Sequence, residues 1–179
     1  GRLGVPSALA VRADGAAPFA ADLESQRIYR LSPDRPPSEI TALAGVRSLC
    51  FAPHGSLFAL TSDRNPIRRL TESADGRRWD EAIAVSGRPF ESPQGLAIDA
   101  AGTLYVSDNG ANCIWKLRRA GDGTFATPTK LAADGHLRAP AGLCLDATTD
   151  SPRLLVADPR ARAIFAVRLA DGAITDAVQ

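Results

Sequence analysis

The stretch that decides the fold is residues 92–108, which read SPQGLAIDAAGTLYVSD. Two short apolar runs, 96–98 and 104–107, flank a turn that carries Gly102. Glycine suits the positive φ that a tight hairpin turn often needs, so these runs predict two antiparallel strands. A polar loop then leads to a third apolar run at 114–117, which predicts a third strand.

A further turn at 121–123 predicts a fourth strand over 128–132, and the whole unit occurs four times along the chain. The anchor residues of the four copies, Pro6, Val46, Pro93 and Pro140, are separated by 40, 47 and 47 residues. That period is typical of a four-stranded propeller blade. We predict an all-β fold in which residues 1–179 form a single propeller segment, with blades at residues 5–44, 45–91, 92–138 and 139–179.

The cysteines support this alignment of the copies. Cys50 and Cys144 fall at the position of the first strand where the other copies have Ala10 and Ala97. With Cys113 they make an odd number, and no CxxC pair or metal-ligand spacing is present. We therefore expect all three to be buried free thiols that pack as small hydrophobic residues.

Composition limits the possible classes of function. The chain has 179 residues, 45% of them apolar, and a formal net charge of +1. This profile is that of an ordinary globular protein, and no apolar run approaches the length of a membrane-spanning segment. Near-neutral charge gives no general attraction to nucleic acid, so nucleic acid is not an expected partner. The chain contains no methionine, which indicates a processed product or a piece of a longer protein.

The repeated residues resemble the NHL-repeat family, whose repeat runs Pro-x-Gly-[Ile/Leu]-Ala-[Val/Ile]-Asp, a Gly turn, Tyr-Val-[Ala/Ser]-Asp and Asn-x-x-Ile. Residues 92–117 match nearly throughout, and the copy from Pro140 matches apart from an insertion at 148–153. The copy around Val46 lacks Pro-x-Gly and has Thr61 in place of the aspartate. The resemblance implies a propeller of about six blades, related to the gluconolactonase-like propellers. We therefore expect four blades to be a segment of a larger propeller, or to be completed by neighbouring chains.

Three aspartates, Asp22, Asp108 and Asp158, recur at one repeat position. They are candidates for a cation site, but a unique site rarely repeats around a ring. We expect each carboxylate instead to accept hydrogen bonds from backbone N–H groups of the loop that follows it.

Candidate ligand-binding residues lie in the loops between second and third strands and in the loops that lead into first strands. In a propeller these two sets of loops share one face, and such loops commonly carry binding sites. The candidates are Arg88, Gln94, Asn109, Asn112, His136, Arg138, Arg160 and Arg162. The four arginines are expected to suit an acidic or phosphate-bearing ligand, the alternative being ordinary solvated surface.

These observations favour a scaffold that binds a protein or a small molecule, without cofactor, catalytic residue or metal site. The alternative is a calcium-dependent lactonase fragment, which the resemblance allows. Gln94 stands where such enzymes have a ligand Asn, and Ser7 or Ala8 where they have a ligand Glu. A zinc amidating lyase is disfavoured because His54 and His136 are expected on opposite faces. RNA binding is less expected still, since acidic residues interleave with the arginines and no aromatic ladder accompanies them.

Overall fold

The computed structural model describes residues 3–12, 14–15, 17–121, 124–148 and 150–178, without the side chain of Val178. Every regular element in these ranges is a strand, so the predicted all-β fold is confirmed. The expected turn at 121–123 and the insertion at 148–153 fall partly outside the described residues. The described part of the chain contains no helix of the length and apolar character needed to cross a membrane.

The strands form four antiparallel sheets, each with its four strands in sequence order, as expected of propeller blades. Blade 1 comprises β1(Pro6–Ala10), β2(Phe19–Asp22), β3(Arg27–Ser32) and β4(Arg35–Ala42). Blade 2 comprises β5(Val46–Phe51), β6(Leu57–Thr61), β7(Ile67–Glu72) and β8(Trp79–Val85). Blade 3 comprises β9(Pro93–Ile98), β10(Leu104–Asp108), β11(Cys113–Leu117) and β12(Thr129–Ala132). Blade 4 comprises β13(Leu143–Asp146), β14(Arg153–Asp158), β15(Ala163–Arg168) and β16(Ile174–Val178).

The chain divides into two compact units, Gly1–Arg88 and Pro89–Gln179. Unit 1 contains blades 1 and 2, and unit 2 contains blades 3 and 4. Within each unit the two sheets pack on each other and bury one apolar cluster between them. Burial of this apolar area is the main force that holds each pair of blades together.

Strand register confirms that the four copies are equivalent. In all four sheets the small residue of the first strand is paired with the residue that stands three positions before the end of the second strand. These pairs are Ala10 with Phe19, Cys50 with Phe58, Ala97 with Tyr105, and Cys144 with Leu155. A small side chain thus stands opposite a large one each time.

Each blade has two distinct faces, because successive residues of a strand point to opposite sides of a sheet. In blades 1 and 3 the front face contacts the second blade of the same unit; Ala10 and Ile28 represent it in blade 1, Ala97 and Ile114 in blade 3. The back face contacts the preceding blade; Leu49 and Leu57 represent it in blade 2, Leu143 and Leu154 in blade 4. Leucines on the back of one blade therefore meet small residues and an isoleucine on the front of another.

The expectation that all three cysteines are buried is wrong for two of them. Cys113 is buried, Cys50 is half-buried and Cys144 is exposed. Cys144 lies on the front face of blade 4, opposite to the face that packs against blade 3. Its equivalent in blade 3, Ala97, is buried because blade 4 packs against it.

Candidate functional site

In blades 1, 3 and 4 an aspartate at the end of the second strand connects two parts of its own blade. Asp108 accepts hydrogen bonds from the backbone N–H groups of Gly110 and Ala111, both at 3.2 Å, in the loop that follows it. It also accepts bonds from the N–H groups of Glu91 at 2.9 Å and Ser92 at 2.8 Å, just before β9. The carboxylate therefore ties the start of the first strand to the end of the second.

Asp22 and Asp158 repeat this arrangement. Asp22 accepts bonds from the N–H groups of Ser25, Val5 and Gly4, and Asp158 from those of Ala161, Ala139 and Arg138. The predicted bonds to the following loop are confirmed. The bonds from the segment before the first strand were not foreseen, because that segment lies 17 to 20 residues from its aspartate.

These hydrogen bonds set the ionisation of the buried carboxylates. Burial alone would raise the pKa of Asp108, but the N–H groups of Ser92 and Glu91 and the indole of Trp115 outweigh it. The pKa of Asp108 therefore lies below its ordinary value. The same balance lowers the pKa of Asp158, where burial is opposed chiefly by the backbone of Ala139 and Ala161.

The recurring aspartates do not fit a calcium site. Each of their oxygens already accepts hydrogen bonds from the protein, whereas Ca²⁺ requires six to eight oxygen ligands turned toward it. Within the described ranges, no group of three or more His, Cys, Asp or Glu residues is placed to hold a metal ion.

A cationic cleft opens on the loop face of unit 2. Its first lobe, about 530 Å³, is lined by Asn112, Lys130, Arg138 and Arg160 above the apolar side chain of Leu137. The second lobe, about 500 Å³, is lined by His136, Arg138, Arg162, Phe165 and Asp176. Arg138 lines both lobes, so we call the two together the Arg138 cleft.

The charges of the Arg138 cleft are open to solvent. Arg138, Arg160 and Arg162 are exposed, and none of them forms an ion pair with a residue that the structure describes. Lys130 lies over the indole of Trp115, with its Nζ 5.4 Å from the ring centroid. His136 contacts Asp134 through Nδ1 at 2.9 Å. The unpaired guanidinium groups of the three arginines suit a ligand with carboxylate or phosphate groups.

The loops that carry these residues have a shared geometry. Gln26, Asn112 and Arg162 occupy one position of the β2–β3-type loop, and all three have positive φ, between 49° and 56°. The side-chain amide of Asn112 is oriented with its nitrogen toward two backbone carbonyl oxygens. It donates to the carbonyl of Asn109 at 3.1 Å and to that of Arg138. Asn112 thereby links the two loops that form the first lobe.

Five of the eight sequence-predicted residues line the Arg138 cleft, namely Asn112, His136, Arg138, Arg160 and Arg162. The other three lie elsewhere. Gln94 donates to Ser92 Oγ at 3.2 Å, and the Asn109 backbone N–H donates to the Ser92 carbonyl. Arg88 belongs to unit 1. The pKa of Asp63 is lowered mainly by hydrogen bonds from the Arg64 backbone and the Arg68 side chain, and the charge of Arg88 adds to this effect.

Sequence reasoning missed Lys130 in the first lobe and Phe165 and Asp176 in the second. All three lie on strands, whereas the prediction considered only loops. The pairing of β11 with β12, which puts Lys130 opposite Trp115, is the signal that would have found the lysine.

The fold and the cleft define a class of protein: a segment of a β-propeller whose loops form a candidate binding face. Residues 90–117 match the NHL repeat family model, so blade 3 contains an NHL repeat. A comparison with curated proteins found no match.

Similar solved structures include enzymes and a binding protein. Virginiamycin B lyase from Staphylococcus aureus is 19% identical, with a TM-score of 0.65 over 96% of this chain and 55% of that chain. A putative gluconolactonase is 18% identical, with a TM-score of 0.67 over 98% of this chain and 63% of its own. An auxiliary nutrient binding protein from Bacteroides ovatus is 14% identical, with a TM-score of 0.78 over 98% of this chain and 47% of its own. This chain spans between 47% and 63% of the length of these structures, and the likeness shows the fold alone.

Proposed function

We propose that the chain is part of a larger propeller that acts as a binding scaffold, and that the Arg138 cleft is its ligand site. The observation that carries the proposal is the group of three unpaired arginines, Arg138, Arg160 and Arg162, around one cleft. The ligand is an acidic small molecule or an acidic segment of a protein. Its carboxylate or phosphate groups would lie between Arg138 and the other cations.

The contrast with paired arginines elsewhere supports this reading. Arg68 forms ion pairs with Asp63 at 2.8 Å and Glu81 at 3.0 Å, and Arg153 forms one with Asp146 at 2.9 Å. The charges of these two arginines are already balanced by carboxylates of the same chain. The Arg138 cleft has three unpaired arginines and one lining carboxylate, that of Asp176. The carboxylate or phosphate groups that pair with the arginines would come from the ligand, and guanidinium groups bind such groups in a bidentate manner.

The test is calorimetric titration of the chain with two probes, inorganic pyrophosphate and a hexaglutamate peptide. Arg138→Gln and Arg160→Gln remove charge at exposed positions, and the backbone N–H that Arg138 donates to Asp158 is retained. We expect each variant to weaken binding by about threefold to tenfold, as befits a solvent-exposed charge contact. The double variant should lose more.

Arg77→Gln is the matched control, because Arg77 is an equally exposed arginine in a turn of blade 2. It should bind both probes as the unaltered chain does. Equal affinities for the control and the cleft variants would refute the site. Preferential binding of a single-stranded RNA oligonucleotide, lost in the same variants, would replace the proposed ligand class with nucleic acid.

A further inference from the structure

The three arginines of the Arg138 cleft are divided between its two lobes. Arg160 lines the first lobe and Arg162 lines the second, whereas Arg138 lines both. A ligand with a single anionic group occupies one lobe, where it meets Arg138 and one other arginine. The arginine of the other lobe would then keep an unbalanced charge. This arrangement therefore favours a ligand whose negative charge is divided between two groups.

One buried carboxylate fixes the backbone that carries these arginines. Asp158 is 1% exposed and accepts hydrogen bonds from the backbone N–H groups of Arg138 at 2.7 Å and Ala161 at 2.9 Å. The backbone of Arg160 also bonds to this carboxylate. Arg160 and Arg162 stand on either side of Ala161 in the same loop. Both loops are thus held in place by one side chain, so little backbone has to be ordered when a ligand binds.

The two lobes differ in charge. The first lobe has Lys130 in addition to its two arginines, and its described lining residues include no carboxylate. The second lobe has two arginines but also the carboxylate of Asp176, and the ring of its His136 contacts Asp134. A phosphate or phosphonate group can carry two negative charges, whereas a carboxylate carries one. The more highly charged group of a ligand is therefore favoured in the first lobe.

Each lobe also has a buried apolar side chain in its lining. Leu137 in the first lobe is 2% exposed, and Phe165 in the second is 6% exposed. The lobe volumes, about 530 and 500 Å³, lie within the range of about 300–1,000 Å³ that is usual for small-molecule sites. A short chain of methylene groups between the two anionic groups would suit this lining.

We infer that the Arg138 cleft takes a small molecule with two anionic groups joined by a short apolar spacer. The phosphate or phosphonate group lies in the first lobe, the carboxylate lies in the second, and Arg138 stands between them. This inference rests on the proposed function, because it names the class of ligand for the same site. Joining the two groups makes the second contact intramolecular, so the affinity exceeds that of either group alone.

The test is calorimetric titration at mildly alkaline pH, where phosphonate groups are fully ionised. The probes are phosphonoacetate, phosphonopropionate, phosphonobutyrate and phosphonohexanoate, whose spacers increase in length, with methylphosphonate and propionate as the separate groups. Affinity should pass through a maximum as the spacer lengthens, because only a matching length reaches both lobes. The best phosphonocarboxylate should bind about tenfold more tightly than methylphosphonate, or better still. Propionate should bind more weakly than methylphosphonate.

Three variants of exposed residues assign each group to its lobe. Arg162→Gln should remove most of the advantage of the best phosphonocarboxylate over methylphosphonate, because its carboxylate loses its partner. Arg160→Gln and Lys130→Gln should each weaken the binding of methylphosphonate itself by about threefold to tenfold. Arg77→Gln is again the matched control and should bind all six probes as the unaltered chain does. Circular dichroism checks that every variant remains folded.

Methylphosphonate that binds as tightly as every phosphonocarboxylate would overturn this inference and leave the proposed anion site intact. An advantage that survives Arg162→Gln would overturn it as well, and so would a greater loss of methylphosphonate binding in Arg162→Gln than in Arg160→Gln. Tighter binding of the hexaglutamate peptide than of any phosphonocarboxylate would replace the small molecule with a protein segment. Failure of every probe to bind, pyrophosphate included, would refute the proposed function itself.

Discussion

At the scale of single residues, the repeated aspartate connects local sequence to the shape of a blade. The sequence predicts that Asp108 serves its own loop, because short polar side chains commonly bond to backbone a few residues on. It does not predict the bonds from Glu91 and Ser92, since those depend on how β9 is placed beside β10. The hydrogen bonds within the loop could be predicted from the sequence. The bonds from the segment before β9 could not.

Removal of the Asp108 carboxylate should be costly. Asp108→Ala leaves several backbone N–H groups and the Trp115 indole without their acceptor. We expect a loss of about 3 kcal/mol or more in the free energy of unfolding, measured by urea denaturation. Asp63→Ala, which alters an exposed aspartate, is the control and should change stability by less than about 1 kcal/mol. A similar loss in both variants would contradict the role given to Asp108.

The pH dependence of stability has a definite sign. The pKa of Asp108 is lower in the folded chain than its ordinary value of 3.8, so the ionised form stabilises the fold. This contribution is complete above the ordinary pKa and is lost as the pH falls through the folded-state pKa. Asp108→Asn should therefore show a shallower loss of stability with acid below about pH 4 than the unaltered chain.

At the scale of elements, a shared carboxylate joins blades 1 and 2 beyond their apolar contact. Glu72 of β7 accepts from Arg12 at 2.8 Å and from Arg30 at 3.0 Å, both in blade 1. The guanidinium of Arg12 lies over the Phe51 ring and that of Arg30 over the Phe19 ring, each 5.3 Å from the centroid. These partners are 60 and 42 residues from Glu72, so no sequence pattern pointed to them.

Glu72→Gln should weaken the contact between blades 1 and 2. The side chain of Glu72 is only 19% exposed, so its loss leaves two partly buried guanidinium groups without a counter-charge. We expect a loss of about 1–2 kcal/mol on thermal or urea unfolding. Glu39→Gln breaks the Arg27–Glu39 pair, whose side chains are 43% and 48% exposed, and should cost less than about 0.5 kcal/mol. A reversed order of the two losses would show that burial does not set the strength of these pairs.

At the scale of the whole molecule, the fold class could be predicted because the same strand pattern occurs four times with a regular period. What could not be predicted is which copies would be covered. Cys144 and Ala97 are equivalent by sequence, yet Ala97 is buried against blade 4 and Cys144 is exposed. The repeat pattern also predicted the loops that line the Arg138 cleft. Lys130 could be placed there only once the pairing of β11 with β12 was known.

The same dependence on position should appear at two equivalent glycines. A Cβ at Gly95 would lie 2.8 Å from Ser107 Oγ and closer still to the Ala141 carbonyl oxygen, because blade 4 approaches blade 3 there. A Cβ at Gly142 would meet only the Ala157 Cβ, at 3.6 Å. Gly95→Ala should lower the melting temperature by several degrees, and Gly142→Ala should leave it nearly unchanged. Equal effects in differential scanning calorimetry would contradict this account.

The loop position with positive φ has an evolutionary consequence. Gln26, Asn112 and Arg162 hold the same left-handed backbone with three different side chains, so this backbone conformation does not require one particular residue type. Asn112 and Arg162 both border the Arg138 cleft. Under the proposed function, mutation at this one position in successive repeats would change the ligand that the cleft binds while the backbone beneath it stays the same.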